Sequence, residues 1–105
     1  MIIIHIVDAG TWEKNKGKFQ YFGDTLKSQG FIHCCLSDQV DDVLKNWFPE
    51  REDLIFVEID PDKLSAQLRF ENLEGGEEKF PHIYGPINNE AIISWYPSGK
   101  DKEES

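Results

Sequence analysis

The sequence predicts a single α+β domain, and three observations carry that prediction. A run of β-branched residues opens the chain, further strand-like runs recur between glycine, proline and aspartate punctuation, and one segment among them carries a helical hydrophobic period. The chain has 105 residues, the size of one domain that buries one core. Residues 1–97 are assigned to that domain. Residues 98–105 are assigned to a flexible acidic tail, because Asp101, Glu103 and Glu104 follow Pro97-Ser98-Gly99 with no apolar residue to anchor them.

Ile2, Ile3, Ile4, Ile6 and Val7 form an apolar run broken only by His5, the pattern of a strand buried on both faces, and His5 shares a face with Ile3 and Val7. Thr11 is placed to cap a short helix over 12–16 that Gly17 ends, and Phe19, Tyr21 and Phe22 are expected as a packed loop. Gly30 opens a strand over 31–35, whose period of two sets Phe31, His33 and Cys35 on one face and Ile32 with Cys34 on the other. Ser37 is expected to cap the clearest helix, 37–48, where Val40, Val43, Leu44, Trp47 and Phe48 recur at helical spacing and must leave water against the sheet. Asp38, Asp41 and Asp42 sit at its positive end and Lys45 nearer its negative end, and Pro49 stops it. Leu54 to Ile59 reads as a third strand, Asp60-Pro61-Asp62 as a turn and 68–71 as a fourth strand. Gly75-Gly76 marks an exposed acidic loop, and two last strands near 82–84 and 91–96 flank a turn-rich link over 85–89.

Charge and composition exclude several classes of function. A formal charge of -9 opposes binding to a phosphate backbone, so duplex nucleic acid is not expected as a partner. The longest apolar run, residues 1–4, is far too short to span a bilayer, and no basic stretch precedes an apolar segment, so neither a membrane partner nor a secretory signal is expected and the location expected is cytoplasmic. Cys34 and Cys35 are neighbours, which disfavours a disulfide between them and suits a reducing compartment.

All three histidines lie in or beside strand-like runs: His5, His33, and His82 within Phe80-Pro81-His82-Ile83-Tyr84-Gly85-Pro86. A single strand histidine is more often a hydrogen-bonded structural residue than a catalyst, whereas three placed this way suggest a shared site. His82 shares a strand face with Tyr84, and Arg69 shares one with Glu71, so a polar cleft holding all of them is geometrically open; Arg69 and Glu71 are equally explained as a surface ion pair. No C-x-x-C or H-x-x-x-H spacing supports zinc, and no metal is assigned. A nucleophile elbow, a Walker loop and a dinucleotide G-x-G-x-x-G are all missing.

His5, Trp12, Gly30-Phe31-Ile32-His33-Cys34, Gln39, Asp53-Leu54, Ile59-Asp60, Leu64, Arg69 with Glu71, and the Phe80–Pro86 segment together resemble the domain-of-unknown-function 952 family of small bacterial proteins, over about residues 3 to 97. Cys35 departs from the family pattern, which usually carries serine there. The family is distantly similar to the ADP-ribosyltransferase-like fold, and that resemblance implies a split mixed β-sheet with a few packed helices and a small-molecule nucleotide, NAD, in a cleft. It implies His5, His33, His82 and Glu71 as catalytic residues and His5, His33, Arg69 and Tyr84 as cofactor-binding residues. Transferases of that superfamily place a glutamate on the third strand motif, where His82-Ile83-Tyr84 stands here, so Glu71 or Glu90 substitutes only if the fold brings one into the cleft. The RNA 2'-phosphotransferase branch also relies on histidine and arginine, but the acidic composition disfavours RNA. The function expected is NAD or nucleotide binding, with ADP-ribosyl transfer or glycosidic hydrolysis as its chemistry. The alternative is a non-catalytic module for a small metabolite or protein partner.

Overall fold

The structure, a computed structural model, describes residues 1–23, 25–72 and 77–98. The Gly75-Gly76 loop and all of the expected tail except Ser98 lie outside the described residues. Nine strands and three short α-helices are described: β1 Ile3–Asp8, α1 Ala9–Asn15, β2 Gln20–Tyr21, α2 Leu26–Gln29, β3 Ile32–His33, β4 Cys35–Leu36, α3 Val40–Trp47, β5 Leu54–Ile59, β6 Gln67–Glu71, β7 Phe80–Tyr84, β8 Ile87–Asn88 and β9 Ile92–Pro97. They form a four-stranded sheet in the order β4-β1-β5-β9, a three-stranded sheet β3-β7-β6 and a two-stranded ribbon β2-β8. The α+β class is as expected, but the strands of His5 and of His33 with His82 lie in different sheets. Where a mixed sheet is expected, every ladder among the described residues is antiparallel.

β1 is buried along both faces, as its sequence demands, because it lies inside the larger sheet with a separate core on each side. Ile3 and Val7 face a core shared with Ile32, Ile83 and Ile87 of the other two sheets, while Ile4 and Ile6 face a smaller core with Cys35 and Leu54 beneath α3. Each layer covers the apolar face of the next.

Four expectations are corrected. Asp8, not Thr11, caps α1: its carboxylate accepts from the Thr11 amide at 2.9 Å and from the Thr11 hydroxyl at 2.7 Å, so the helix starts at Ala9. The segment 31–35 is not one strand. It breaks at Cys34, whose amide donates to the Pro81 carbonyl at 3.0 Å; β3 on one side pairs with β7 and β4 on the other pairs with β1. Ser37 does not cap α3, because residues 37–39 form a single 3₁₀ turn in which the buried Gln39 side chain takes the Leu36 amide at 2.8 Å and donates to the Lys79 carbonyl at 2.9 Å. Trp47 is not core: Val40, Val43, Leu44 and Phe48 pack against the smaller core, but Trp47 is 56% exposed, on the flank of the helix rather than in its buried stripe. The aromatic segment after α1 also divides, with Tyr21 buried in β2 and Phe19 and Phe22 in solvent.

Candidate functional site

Antiparallel register decides which side chains of the three-stranded sheet meet. His33 stands opposite His82, which in turn stands opposite Arg69; Gln67 pairs with Tyr84, and Glu71 with Phe80. Side chains alternate along a strand, so these residues share one face, and Ile32, Ile83 and Leu68 turn the other face to the core. Phe31, two residues before His33, joins that polar face. Its ring centroid lies 4.8 Å from His33, 4.5 Å from His82 and 5.3 Å from Tyr84, and the two imidazoles are 5.2 Å apart edge to face.

This face forms one wall of a cleft of about 480 Å³, within the range of small-molecule sites. Val43, Trp47 and Phe48 at the end of α3 line it as well, with Thr25 and Gln29 at its rim and His5 and Ile6 of β1 at its base. A more open depression beside Leu44, Phe48 and Arg51 contains none of the histidines.

His5 holds the cleft together. Its Nδ1 lies 2.7 Å from the His33 carbonyl and its Nε2 lies 2.8 Å from the Tyr21 hydroxyl. A carbonyl only accepts, so Nδ1 carries a proton and donates to it, while Nε2 pairs with the Tyr21 hydroxyl, which can donate or accept. One side chain thus ties β1 of the large sheet to β3 of the second and β2 of the ribbon. The family resemblance implies His5 as a catalytic and cofactor-binding residue; at 2% exposure, with both ring nitrogens engaged, it lies at the base of the cleft.

Glu71 is reached by two donors at a single oxygen. Tyr84 O–H donates to Oε1 at 2.5 Å and His82 Nδ1–H donates to the same atom at 3.1 Å. The Tyr84 hydrogen bond, then that of His82, holds the Glu71 carboxyl below its usual range, and the same Tyr84–Glu71 bond pushes the Tyr84 phenol up. With Nδ1 fixed on Glu71, the basic lone pair of a neutral His82 is on Nε2, which has no hydrogen bond among the described residues.

His33 is exposed and its Nε2 lies 2.6 Å from the Gln29 amide oxygen at the rim. Arg69 lies over the Tyr84 ring, 4.8 Å from its centroid, and donates to Gln67 at 3.2 Å; it is exposed, and neither Arg69 nor Tyr84 lines the cleft. Both therefore act on Glu71 from beside the cavity. Glu90 remains exposed and outside the cleft lining. Cys34 packs in the larger core with Ile32, as alternation expects, and also reaches the cleft lining, whereas Cys35 leaves the face of His33 and lies under α3. Burial pushes the Cys34 thiol well above its usual range and that of Cys35 up to about 12, so neither is a thiolate nucleophile.

The sequence missed Trp47, Gln29 and Tyr21 as parts of the site. Trp47 reads as core by its spacing, and the two-residue β2 and one-turn α2 that carry the others are too short to show a period.

A sequence profile of the family described as "Protein of unknown function (DUF952)" matches residues 6–95. Among solved structures, the crystal structure of protein CC0527 from Caulobacter crescentus superposes with a TM-score of 0.81 at 22% identity, covering 97% of this chain and 90% of that one. The solution structure of CC0527 gives a TM-score of 0.78 at 23% identity, covering 97% and 88%. At that identity the likeness is one of fold. No curated protein matches the chain.

Proposed function

We propose, for a chain that belongs to the DUF952 family of proteins of unknown function, that the cleft binds NAD or a related nucleotide by its ring and ribose end and acts at the glycosidic carbon, by ADP-ribosyl transfer or hydrolysis. The ADP-ribosyltransferase-like kinship of the fold is part of this proposal. The observation that carries it is the Glu71 carboxylate, which lines the same cavity as Phe31 and His33 and is bound by His82. The ring and ribose end fits what lines the cavity: flat aromatic and imidazole faces for a planar ring, and a carboxylate for a hydroxyl. The pyrophosphate finds neither Lys nor Arg among the described lining residues, so it is placed outside.

NAD bound there would supply a ring that leaves as neutral nicotinamide when its glycosidic C–N bond opens. Glu71 Oε1 is occupied by Tyr84 and His82, which leaves Oε2 to accept from a ribose hydroxyl and to face the positive charge that grows on the sugar. His82, oriented through Nδ1, uses Nε2 to take the proton of the incoming water or acceptor hydroxyl as the new C–O bond forms. His5 acts as a positioning residue through His33.

Calorimetric titration with NAD and ADP-ribose, together with chromatographic assay of nicotinamide release, tests this. Binding of both to the wild type, weakened in Glu71→Gln and His82→Ala, is the expected result; no binding at millimolar ligand overturns it. The non-catalytic reading is favoured by the missing phosphate-binding cation, and binding without any nicotinamide release would select it.

A further inference from the structure

The site proposed above leaves two features unused. Trp47 has the spacing of a core residue, yet it stands 56% exposed at the cleft, on the wall made by α3. The opposing sheet wall carries the Phe31, His33 and His82 rings within 5.2 Å of one another. The second feature is charge: Glu71 is the one carboxylate among the described lining residues, with no Lys or Arg beside it. Both ring nitrogens of His5 are engaged, Cys34 is a protonated thiol, the guanidinium of Arg69 lies over Tyr84 outside the lining, and His82 meets Glu71 at Oε1, the oxygen it shares with Tyr84. The whole chain carries a formal -9, which adds a field of the same sign.

We infer that the cleft selects a planar heteroaromatic cation, its ring held between Trp47 and the Phe31–His33 wall and its charge met by Glu71. An indole face attracts a cation more strongly than any other side-chain ring, and the attraction grows once water leaves the contact. A carboxylate held ionised in the same cavity adds to it and repels an anion of equal shape. The inference rests on the nucleotide reading for its site, but it names the group recognised, and phosphate has no part in it.

Three rings of one size separate charge from shape: N1-methylnicotinamide (cation), nicotinamide (neutral) and nicotinate (anion), titrated by calorimetry into the whole chain beside NAD and ADP-ribose. The cation is expected to bind about tenfold more tightly than nicotinamide, and nicotinate more weakly than either. Trp47→Ala should lose about tenfold for the cation while Trp47→Phe loses less, and Glu71→Gln should bring cation and neutral ring within about threefold. Unchanged far-ultraviolet dichroism in the Trp47 variants separates this loss from misfolding. Equal affinity for nicotinate and the cation, or an unaffected Trp47→Ala, overturns the inference, and if ADP-ribose still binds the nucleotide reading stands. Cation binding without binding of NAD, the nucleotide that carries the same ring, overturns the nucleotide reading alone, and a wild type that binds none of these ligands overturns both.

Discussion

At the scale of single residues, the histidines divide by what their nitrogens already do. His5 is a buried connector, and removing it takes away a hydrogen-bond partner of the Tyr21 hydroxyl and leaves a cavity among three sheets. His5→Ala should therefore lower the unfolding free energy by about 3 kcal/mol, and Tyr21→Phe by about 1 kcal/mol, in chemical denaturation. Glu71 gives a pH signature whose sign follows from its lowered carboxyl. A lowered native value means that the ionised form is the one the fold favours, so its contribution is present above the ordinary carboxylate range and is lost as pH falls through the lowered value. The wild type should be more stable than Glu71→Gln at neutral pH, and the gap should close in acid; a gap that persists below the carboxylate range would contradict this. Tyr84 titrates in the opposite sense: its ultraviolet ionisation should lie above the usual phenol range in the wild type and return toward it in Glu71→Gln.

At the scale of elements, hydrophobic period was legible and partner choice was not. β1 could be read as doubly buried because its four branched residues, Ile3, Ile4, Ile6 and Val7, fall on both faces, and the stripe of α3 was equally plain. Trp47 was misread because a stripe records which residues are apolar but not how much of its width the core covers, and Phe48 beyond it is packed while Trp47 is not. Trp47→Ala should accordingly cost less than about 1 kcal/mol, and Leu44→Ala, which is packed on the second core, about 2 kcal/mol. Residues 31–36 show the same limit: alternation passes unbroken through Cys34, and only the competing edges of β1 and β7 decide that the chain changes sheets there. Alternation did put Phe31 with His33 and Tyr84 with His82; that the two pairs would stand opposite one another depended on register between strands far apart in sequence. The turn after β7 is fixed by Gly85, which has φ +155° and where a Cβ would lie 2.9 Å from the Ala66 Cβ. Gly85→Ala should destabilise by more than about 1 kcal/mol for both reasons, as read by thermal unfolding.

At the scale of the whole molecule, the face that lines the cleft belongs to a sheet of three strands that owes its place to the other two sheets. The described domain closes with the Ser98 amide donating to the Leu54 carbonyl at 2.9 Å, so a chain ending at Ser98 retains every described contact and should unfold at nearly the wild-type midpoint. The single imidazole at position 5 reaches partners 16 and 28 residues away on two separate sheets, and this has a consequence in time. Such a link cannot form until all three layers have docked, which places it late on the folding route, where native contacts govern how fast a molecule comes apart more than how fast it assembles. A half-assembled chain has no cleft to present, so a ligand cannot act as a template for folding. What it can do is lengthen the lifetime of molecules already closed.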